Sequence, residues 1–367
     1  MTGTLFDAFT LDAWEEETDT VDVDDLGIET TPVRATLDKS GLHLDDPALI
    51  EKAERTKVSN SLIDGMFQCP AKQAADKWLL PDVIPMDPLS PTALGSAFHK
   101  VMEVFFGFPP VERTEEGIKR AYRAMLEDDE FKALRDSPES RKWVRHRVIE
   151  YLKMGFENPK DVRIAQVEKV GRNGRKYLKP GLELFVSGTI GDSSRDTLGF
   201  IDRLSVNGDG EYIVDDWKTG AKVKLYDPDD RFPHFGYVRQ QILYTMMLEQ
   251  SGDRKVAEAR LIYPDSLHPT PDGGQAEGGY VDVIPIHNKA YRARAVKDVE
   301  TCSALLDDSC SLNQWATKPG ALCSWCPLVN ACPVAYKMSK ANAVESRTKQ
   351  PTQGFLRTKA GINVIDS

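Results

Sequence analysis

The chain has 367 residues, a mass of 41.0 kDa and a formal net charge of −10 at pH 7. Its content of 41% hydrophobic and 28% charged residues is typical of a globular protein, and no apolar run approaches the roughly 18 residues of a membrane helix. The acidity is local, because residues 1–33 contain ten acids and no base, whereas the rest of the chain carries 47 acids and 47 bases. Overall acidity therefore does not exclude binding to nucleic acid through clustered bases.

Both ends of the chain are predicted to be flexible, an acidic arm over residues 1–50 and a polar tail over residues 341–367. Residues 5–14 alternate apolar and acidic side chains, which would suit docking to a partner, such as a recombination or annealing protein, or covering a basic groove. An inert solvated tail is the simpler interpretation. The first residues lack the basic start of a secretory signal, so we expect a cytoplasmic protein whose six cysteines bind metal rather than form disulfides.

Residues 51–340 are predicted to form one domain that begins with helices. Ser59 provides an N-cap for a helix that ends at Cys69, and residues 93–106 carry apolar side chains at helical spacing. His99 lies on this second helix, beside the apolar stripe. A histidine in that position is more often a hydrogen-bonded core residue, so a role as metal ligand needs support from other motifs.

Two further amphipathic helices are predicted over residues 114–127 and 138–157, within a helical insertion of about residues 107–160. They are rich in Lys and Arg, and Arg141 and Arg145 are candidates for contacts with a nucleic-acid strand. A solvated basic helix face explains the same residues equally well.

The hydrophobic pattern then changes to the period of two that is typical of strands. Strands are predicted over residues 162–170, 182–190, 198–206, 211–217, 257–263 and 280–286, with helices over 235–250 and 288–308 and a Gly/Pro-rich loop over 264–279. A strong hairpin turn follows the third strand, at residues 207–210. The sequence therefore predicts an α/β domain with a central mixed sheet flanked by helices.

This hairpin carries two carboxylates and a lysine. A three-residue turn at 208–210 would place Asp202 opposite Asp216 and on the same face as Lys218, whereas a turn of two or four residues would place Asp202 opposite Asp215. Paired carboxylates provide hard oxygen ligands for Mg2+ or Mn2+, and an ammonium group would orient water or stabilise charge on a phosphate. The acids follow an apolar stretch, where burial would be costly without a cation.

Four cysteines form a second candidate metal site. Cys69 stands alone, and Cys323, Cys326 and Cys332 follow more than 250 residues later with the spacing C-x2-C-x5-C. Four thiolates suit either tetrahedral zinc or an iron–sulfur cluster. The arrangement of one plus three favours a [4Fe-4S] cluster, because a zinc ribbon prefers two C-x2-C pairs.

In their order along the chain, these motifs resemble the RecB-like branch of the PD-(D/E)xK nucleases, which includes CRISPR-associated and phage-encoded exonucleases. The matching segments are residues 95–99 for G-x-x-x-H, 199–203 for G-x-x-D-R, 216–220 for D-Y-K-T-G and 240–244 for Q-x-x-x-Y. The third segment has Trp217 in place of the usual Tyr. The resemblance extends over about residues 58–336.

The resemblance implies a restriction-endonuclease-like core in which an iron–sulfur staple joins the N- and C-terminal segments. It implies a DNA exonuclease that depends on Mg2+ or Mn2+ and acts on single strands or ends, in recombination, repair or replication. The implied site residues are His99, Asp202 and Asp216 as metal ligands, Lys218, Gln240 and Tyr244 around the catalytic centre, Arg203 near nucleic acid, and Cys69, Cys323, Cys326 and Cys332 on the cluster.

Glu168 loosely matches an acid that often precedes the G-x-x-D strand in this branch, and it is a further candidate ligand. Two other functions remain open from the sequence. One is a relative without activity that only binds DNA ends, and the other is a zinc-stabilised assembly factor. The intact set of Asp202, Asp216 and Lys218 favours the enzyme.

Overall fold

The computed structural model describes residues 31–81, 83, 87–171, 174–220, 235–252, 255–269, 275–335 and 351–365. The helices are α1 (Pro47–Glu54), α2 (Asn60–Gln68), α3 (Pro70–Ala74), α4 (Pro91–Gly107), α5 (Glu115–Glu127), α6 (Lys132–Asp136), α7 (Pro138–Met154), α8 (Phe235–Gln250), α9 (Lys289–Leu312) and α10 (Gln353–Thr358). The strands are β1 (Ala35–Leu37), β2 (Leu42–Leu44), β3 (Val58–Ser59), β4 (Gln166–Val170), β5 (Lys176–Pro180), β6 (Leu182–Gly188), β7 (Thr197–Val206), β8 (Tyr212–Trp217), β9 (Val256–Pro269), β10 (Gln275–Val283) and β11 (Ile362–Val364).

The central sheet is mixed, as the sequence predicts. Its strand order is β10-β9-β8-β7-β3, and β6 also pairs with β7. Strand β7 is antiparallel to β6 and β8, whereas the pairs β8–β9 and β3–β7 are parallel. The long strand β7 therefore pairs directly with β3, β6 and β8, and its register with β6 and β8 positions the residues of the site.

The turn between β7 and β8 fixes the alignment of the acidic residues. The side-chain oxygen of Asn207 accepts hydrogen bonds from the backbone N–H groups of Asp209 and Glu211, and Gly210 adopts a left-handed φ of 83°. Asn207 and Glu211 then face each other, so the loop has three residues. This outcome confirms the first of the two registers considered from the sequence.

Helices cover both sides of the sheet with separate apolar cores. Val214 and Leu261 pack in the core that includes Ile242 of α8, whereas Phe106 of α4 and Trp217 pack in the other. All five side chains are almost fully buried, which is worth about 1.5–3 kcal/mol for a side chain such as Phe or Leu. Because the two cores lie on opposite sides of β8, neighbouring residues of that strand face different surroundings.

The chain ends differ from the expectation of flexible arms wherever the structure describes them. Strand β1 pairs antiparallel with β2 and parallel with β11, with Ala35 opposite Ile362. Residues 35–44 and 362–364 therefore form a small sheet instead of loose tails. The pairing of β1 with β11 is not visible in the sequence, because the two strands lie more than 300 residues apart and strand pairing over such a distance has no local signal. Residues 1–30, 341–350 and 366–367 of the expected arms lie outside the described residues.

Two other sequence-based elements are also wrong. The segment 264–279 was expected to be a loop, but β9 continues to Pro269 and β10 begins at Gln275, and the two pair as a long hairpin. The strand expected over 162–170 is shorter, and it pairs with β5 in a two-stranded sheet outside the central one. Both errors arise because pairing between strands supplies hydrogen bonds that local composition does not predict.

Among the described residues, no helix is both long and apolar enough to cross a membrane.

Candidate metal-dependent active site

Three carboxylates lie in a row across three neighbouring strands. The register of β7 with β8 sets Asp202 opposite Asp216, and the register of β6 with β7 sets Glu183 opposite Asp202. Asp202 and Asp216 are almost fully buried, whereas Glu183 is about one-third exposed. Such a row concentrates negative charge at one place on the sheet, and the ammonium group of Lys218 lies 2.5 Å from Asp216.

Helix α4 brings His99 to this row from one side of the sheet. The helix starts at a cap provided by Ser90, and it passes close to the end of β8, where a Cβ on Gly95 would lie 3.4 Å from Oγ1 of Thr219. His99 Nε2 is 2.9 Å from the carbonyl oxygen of Trp217. Because a carbonyl can only accept, Nε2 carries a proton there, and in the neutral ring Nδ1 keeps a lone pair for a metal.

The ligand atoms are close enough to bind a single cation. Nδ1 of His99 is 3.5 Å from Asp202 Oδ1 and 3.9 Å from Glu183 Oε1, and suitable atoms of the three residues all lie within 4.8 Å of one another. The other carboxylate oxygen of Asp202 accepts the backbone N–H of Trp217 at 2.7 Å, which fixes its orientation. One imidazole with carboxylate oxygens is a donor set that suits Mn2+ or Mg2+.

The electrostatics of the row also favour a cation. Burial, with repulsion from Asp202, raises the pKa of Asp216 to about 6 despite the attraction of Lys218, and burial and Asp202 raise the pKa of Glu183 to about 7. Burial alone would lower the pKa of His99, but Asp202, Asp216 and Glu183 together raise it to about 9. Without a metal the group therefore retains protons, which a divalent cation would replace.

Lys218 is held in place by the helix on the other side of the sheet. Its Nζ lies 2.5 Å from Asp216 Oδ2, donates to Gln240 Oε1 at 2.9 Å, and stands 4.4 Å from the ring centroid of Tyr237. The amide of Gln240 in turn donates to the hydroxyl of Tyr244 at 2.9 Å. Gln240 and Tyr244 thus act through Lys218, because their hydrogen bonds orient its ammonium group.

Gly199 allows Tyr244 to approach β7. A Cβ on Gly199 would lie 2.2 Å from Cε1 of Tyr244, much closer than any real contact. This close packing explains why the G-x-x-D segment needs glycine at its first position. It also joins α8, and with it Gln240, to the strand that carries Asp202.

A model of the PD-(D/E)XK nuclease superfamily matches residues 58–333, about three-quarters of the chain. The chain belongs to this superfamily. Membership implies a nucleic-acid substrate and a divalent metal ion, consistent with the group of His99, Glu183 and Asp202. A solved structure titled "Crystal structure of SSO0001" is similar over 78% of this chain and 94% of its own, at 14% identity and a TM-score of 0.30. No curated protein matches.

The carboxylate row contains Glu183 and not Glu168. Glu168 lies on β4, is about half exposed and pairs with Lys176 at 2.7 Å. Glu183 has a φ of 42°, an unusual value for a residue other than glycine, and such backbone geometry is often found at functional sites. The sequence contains a clue to this role of Glu183. It is the only acid in its predicted strand, and that strand directly precedes the one with Asp202.

The side chain of Arg203 is buried instead of exposed to a nucleic-acid strand, which differs from the expectation. Its side chain is fully buried, donates to Asp215 at 2.8 Å and to both carboxylate oxygens of Glu157 at 2.6 and 3.0 Å, and lies 4.3 Å from the ring centroid of Phe106. Arg260 donates to the same Asp215. The Arg of the G-x-x-D-R segment therefore belongs to a buried ionic network on the opposite side of the sheet from Asp216.

The helical insertion places its two candidate arginines differently. Arg141 donates to the carbonyl oxygen of Arg135, whereas Arg145 is exposed and lines a cavity of about 870 Å3 between α5 and α7. Ile118 and Val148 contribute apolar surface to this cavity, and its lining contains none of the residues of the metal group. The structure thus does not bring these arginines to the carboxylate row.

The four motif cysteines converge although they come from opposite ends of the matched region. Cys69 lies between α2 and α3, and with Cys323, Cys326 and Cys332 it lines one small cavity of about 20 Å3. All four are free thiols, and burial raises the pKa of Cys326 to about 12. Among the described residues, no three of their sulfur atoms lie within 4.8 Å of one another, whereas tetrahedral zinc would need about 3.8 Å with Zn–S bonds of about 2.3 Å.

Proposed function

We propose that this PD-(D/E)XK protein is a deoxyribonuclease that depends on Mg2+ or Mn2+ and cleaves phosphodiester bonds as an exonuclease, on single-stranded DNA or at DNA ends. The observation that supports it best is the row of Glu183, Asp202 and Asp216, with His99 at one side and Lys218 at the other. A protein that only binds DNA ends would have no use for a buried lysine held against this row.

The residues of the row would hold the metal ion, with His99, Glu183 and Asp202 as the closest set and Asp216 beside them. A bound divalent ion lowers the pKa of a coordinated water and offsets the charge of the scissile phosphate. The carbonyl of Trp217 keeps the ring of His99 oriented, and the N–H of Trp217 does the same for Asp202. These backbone contacts hold the ligands in place before a cation arrives.

Lys218 would act on the reacting phosphate. Its ammonium keeps its charge, because the attraction of Asp216 and Asp202 raises its pKa although burial lowers it. Gln240 and Asp216 each accept one of its three protons, so the third is available to an oxygen of the phosphate or to the attacking water. A charge fixed in this way would stabilise the negative charge that grows in the transition state.

The test is a time course on end-labelled single- and double-stranded DNA with Mn2+. Lys218→Ala should reduce the rate by about 10²–10³-fold, the usual cost of one positioned donor. Lys255→Ala is the matched control, since this exposed lysine pairs with Glu211 on the hairpin and should leave the rate unchanged. A wild-type rate for Lys218→Ala would reject its assigned role, and intact DNA with the wild-type protein would reject the enzyme.

We further propose that Cys69, Cys323, Cys326 and Cys332 bind a [4Fe-4S] cluster with a structural role. The cluster would close a loop of more than 250 residues, a constraint that mainly reduces the entropy of the unfolded chain. Anaerobically purified protein should be brown, and Cys326→Ser should lower both the iron content and the melting temperature. Cys310→Ser is the control, because this half-buried thiol contacts Arg195 and lies apart from the other four. Zinc without iron would reject the cluster but keep the four-cysteine site.

The same proposal includes a restriction-endonuclease-like core, a cytoplasmic location, and a role in recombination, repair or replication. The acidic segment at residues 1–30 would then bind a recombination or annealing protein. Its deletion should abolish binding of such a partner while cleavage of naked DNA continues. If cleavage rises instead, the segment covers the nucleic-acid path.

A further inference from the structure

Two exposed phenylalanines lie directly beside the carboxylate row. Phe185 of β6 and Phe200 of β7 are cross-strand partners with ring centroids 5.4 Å apart, and they are 39% and 51% exposed. Phe185 is two residues after Glu183, and Phe200 is two residues before Asp202, which corresponds to about 7 Å along each strand. The ring pair is therefore one step along the strands from the metal ligands.

The rings project to the side of the sheet from which His99 approaches. Leu184 and Ile201 alternate with them along the strands and are buried in the core that includes α8. Phe185 and Phe200 must then point to the opposite side, where α4 packs further along the sheet. No described element buries them there, although large exposed apolar rings are costly for a surface without a partner.

The β4–β5 hairpin adds positive charge and a third ring to this place. Lys169 Nζ donates to the carbonyl oxygen of Phe185 at 3.1 Å, and Lys179 Nζ donates to that of Glu183 at 3.0 Å. Tyr177 faces Lys169 across the hairpin and is two residues from Lys179, so the three share one face. Tyr177 is 52% exposed, and neither lysine forms an ion pair with a described carboxylate.

We propose that Phe185, Phe200 and Tyr177 form a stacking platform for unpaired bases, and that Lys169 and Lys179 contact the phosphates of the same strand. Alternating aromatic and basic groups are the usual means of binding single strands without sequence preference. The platform would deliver the strand to Glu183 and Asp202, which lie two residues from the rings on the same two strands. This inference rests on the proposed nuclease function, and it specifies that the substrate is single-stranded next to the cleavage site.

The first test measures binding of a fluorescent single-stranded oligonucleotide with Ca2+ in place of Mg2+, with a check that the oligonucleotide stays intact. Phe185→Ala and Phe200→Ala should each weaken binding about fivefold or more, whereas Phe200→Tyr should bind as the wild type does. Leu312→Ala, which removes a side chain that is 70% exposed at the end of α9, is the control and should change nothing. Unchanged binding by both alanine variants would overturn the platform.

The second test asks whether the rings contact bases. An oligonucleotide with several consecutive abasic positions should bind the wild type more weakly than its normal counterpart, while the Phe185→Ala/Phe200→Ala variant should bind both equally. If the abasic positions weakened binding equally for the wild type and for the double variant, the inference would be overturned. Mn2+ affinity and melting temperature should not change in the variant, which separates the platform from the metal site. If the wild type cleaves DNA and the variants bind the oligonucleotide normally, only the platform is rejected. If the wild type neither binds nor cleaves DNA, the proposed nuclease function is rejected as well.

Discussion

Asp215 and Asp216 are neighbours on β8, both buried, yet their surroundings differ completely. Asp215 lies between two guanidinium groups, with Arg203 at 2.8 Å and Arg260 at 2.5 and 3.0 Å. Burial would raise its pKa, but these two cations outweigh burial and lower it. Asp216 pairs with Lys218 and faces Asp202, and burial together with Asp202 raises its pKa to about 6 despite this lysine.

The difference shows how one strand gives two neighbouring carboxylates opposite electrostatic surroundings. On one side, the buried carboxylate of Asp215 has the cations Arg203 and Arg260 beside it, and both arginines also pair with Glu157. On the other side, the carboxylates outnumber the ammonium groups, and a cation is needed to balance them. A shift of β8 by one residue would exchange the two aspartates. The arginines therefore select which aspartate faces the carboxylate row.

The largest expected effect comes from Asp216→Asn on the metal side. DNA cleavage should fall more than about a hundredfold, because several kcal/mol of transition-state stabilisation depend on the metal site. The melting temperature of the metal-free protein should not fall, since the folded state already disfavours a charge at Asp216. Asp209→Asn in the exposed hairpin turn is the matched control. Cleavage at the wild-type rate would show that Asp216 is not part of the site.

Asp215→Asn should lower the stability of the protein and leave its metal binding unchanged, the reverse of Asp216→Asn. Its two arginines would lose a buried partner, so the free energy of unfolding should fall by about 3–5 kcal/mol, measured by urea denaturation. Mn2+ affinity, measured by calorimetry on the protein that remains folded, should stay close to that of the wild type. Normal stability combined with lost Mn2+ binding would mean that Asp215, rather than Asp216, faces the metal.

A comparison of Glu183→Gln with Glu168→Gln tests whether the third strand, β6, also contributes a metal ligand. Glu183→Gln removes one negative ligand, so Mn2+ affinity should fall by about tenfold or more. Glu168→Gln should leave it unchanged, because Glu168 pairs with Lys176 on the separate hairpin. Calorimetric titration with Mn2+ measures both. The opposite ranking would restore Glu168 as the ligand.

The smallest expected effect is a change with pH in how far Mn2+ raises the melting temperature of the protein. The pKa of Glu183 rises from 4.5 to about 7, so between these values the metal-free folded protein binds more protons than the unfolded chain and loses stability as pH rises. Mn2+ needs the deprotonated group, so the increase in melting temperature that it causes should be larger at pH 8 than at pH 5.5. Glu183→Gln should reduce this difference without abolishing it, because Asp216 and His99 also exchange protons for the metal. An equal increase at both pH values would contradict the assignment.

Much of the site follows from local sequence. Alternating apolar residues predict β7 and β8, and the Asn207 turn sets their register, which was one of two alternatives before the structure resolved it. The order of the motifs placed His99, Gln240 and Tyr244 near the carboxylates, and the structure brings all three there. These features depend on residues close together in the chain or on motifs that recur as a set.

Tertiary structure alone decided the rest. The identity of the third carboxylate depends on the pairing of β6 with β7, and strand pairing is not visible in the composition of one strand. The burial of Arg203 depends on Glu157 and Arg260, which come from distant segments. The sheet of β1, β2 and β11 joins segments more than 300 residues apart. Sequence determined which local elements form, and long-range packing determined which side chains meet, because contact energies between distant segments have no local pattern.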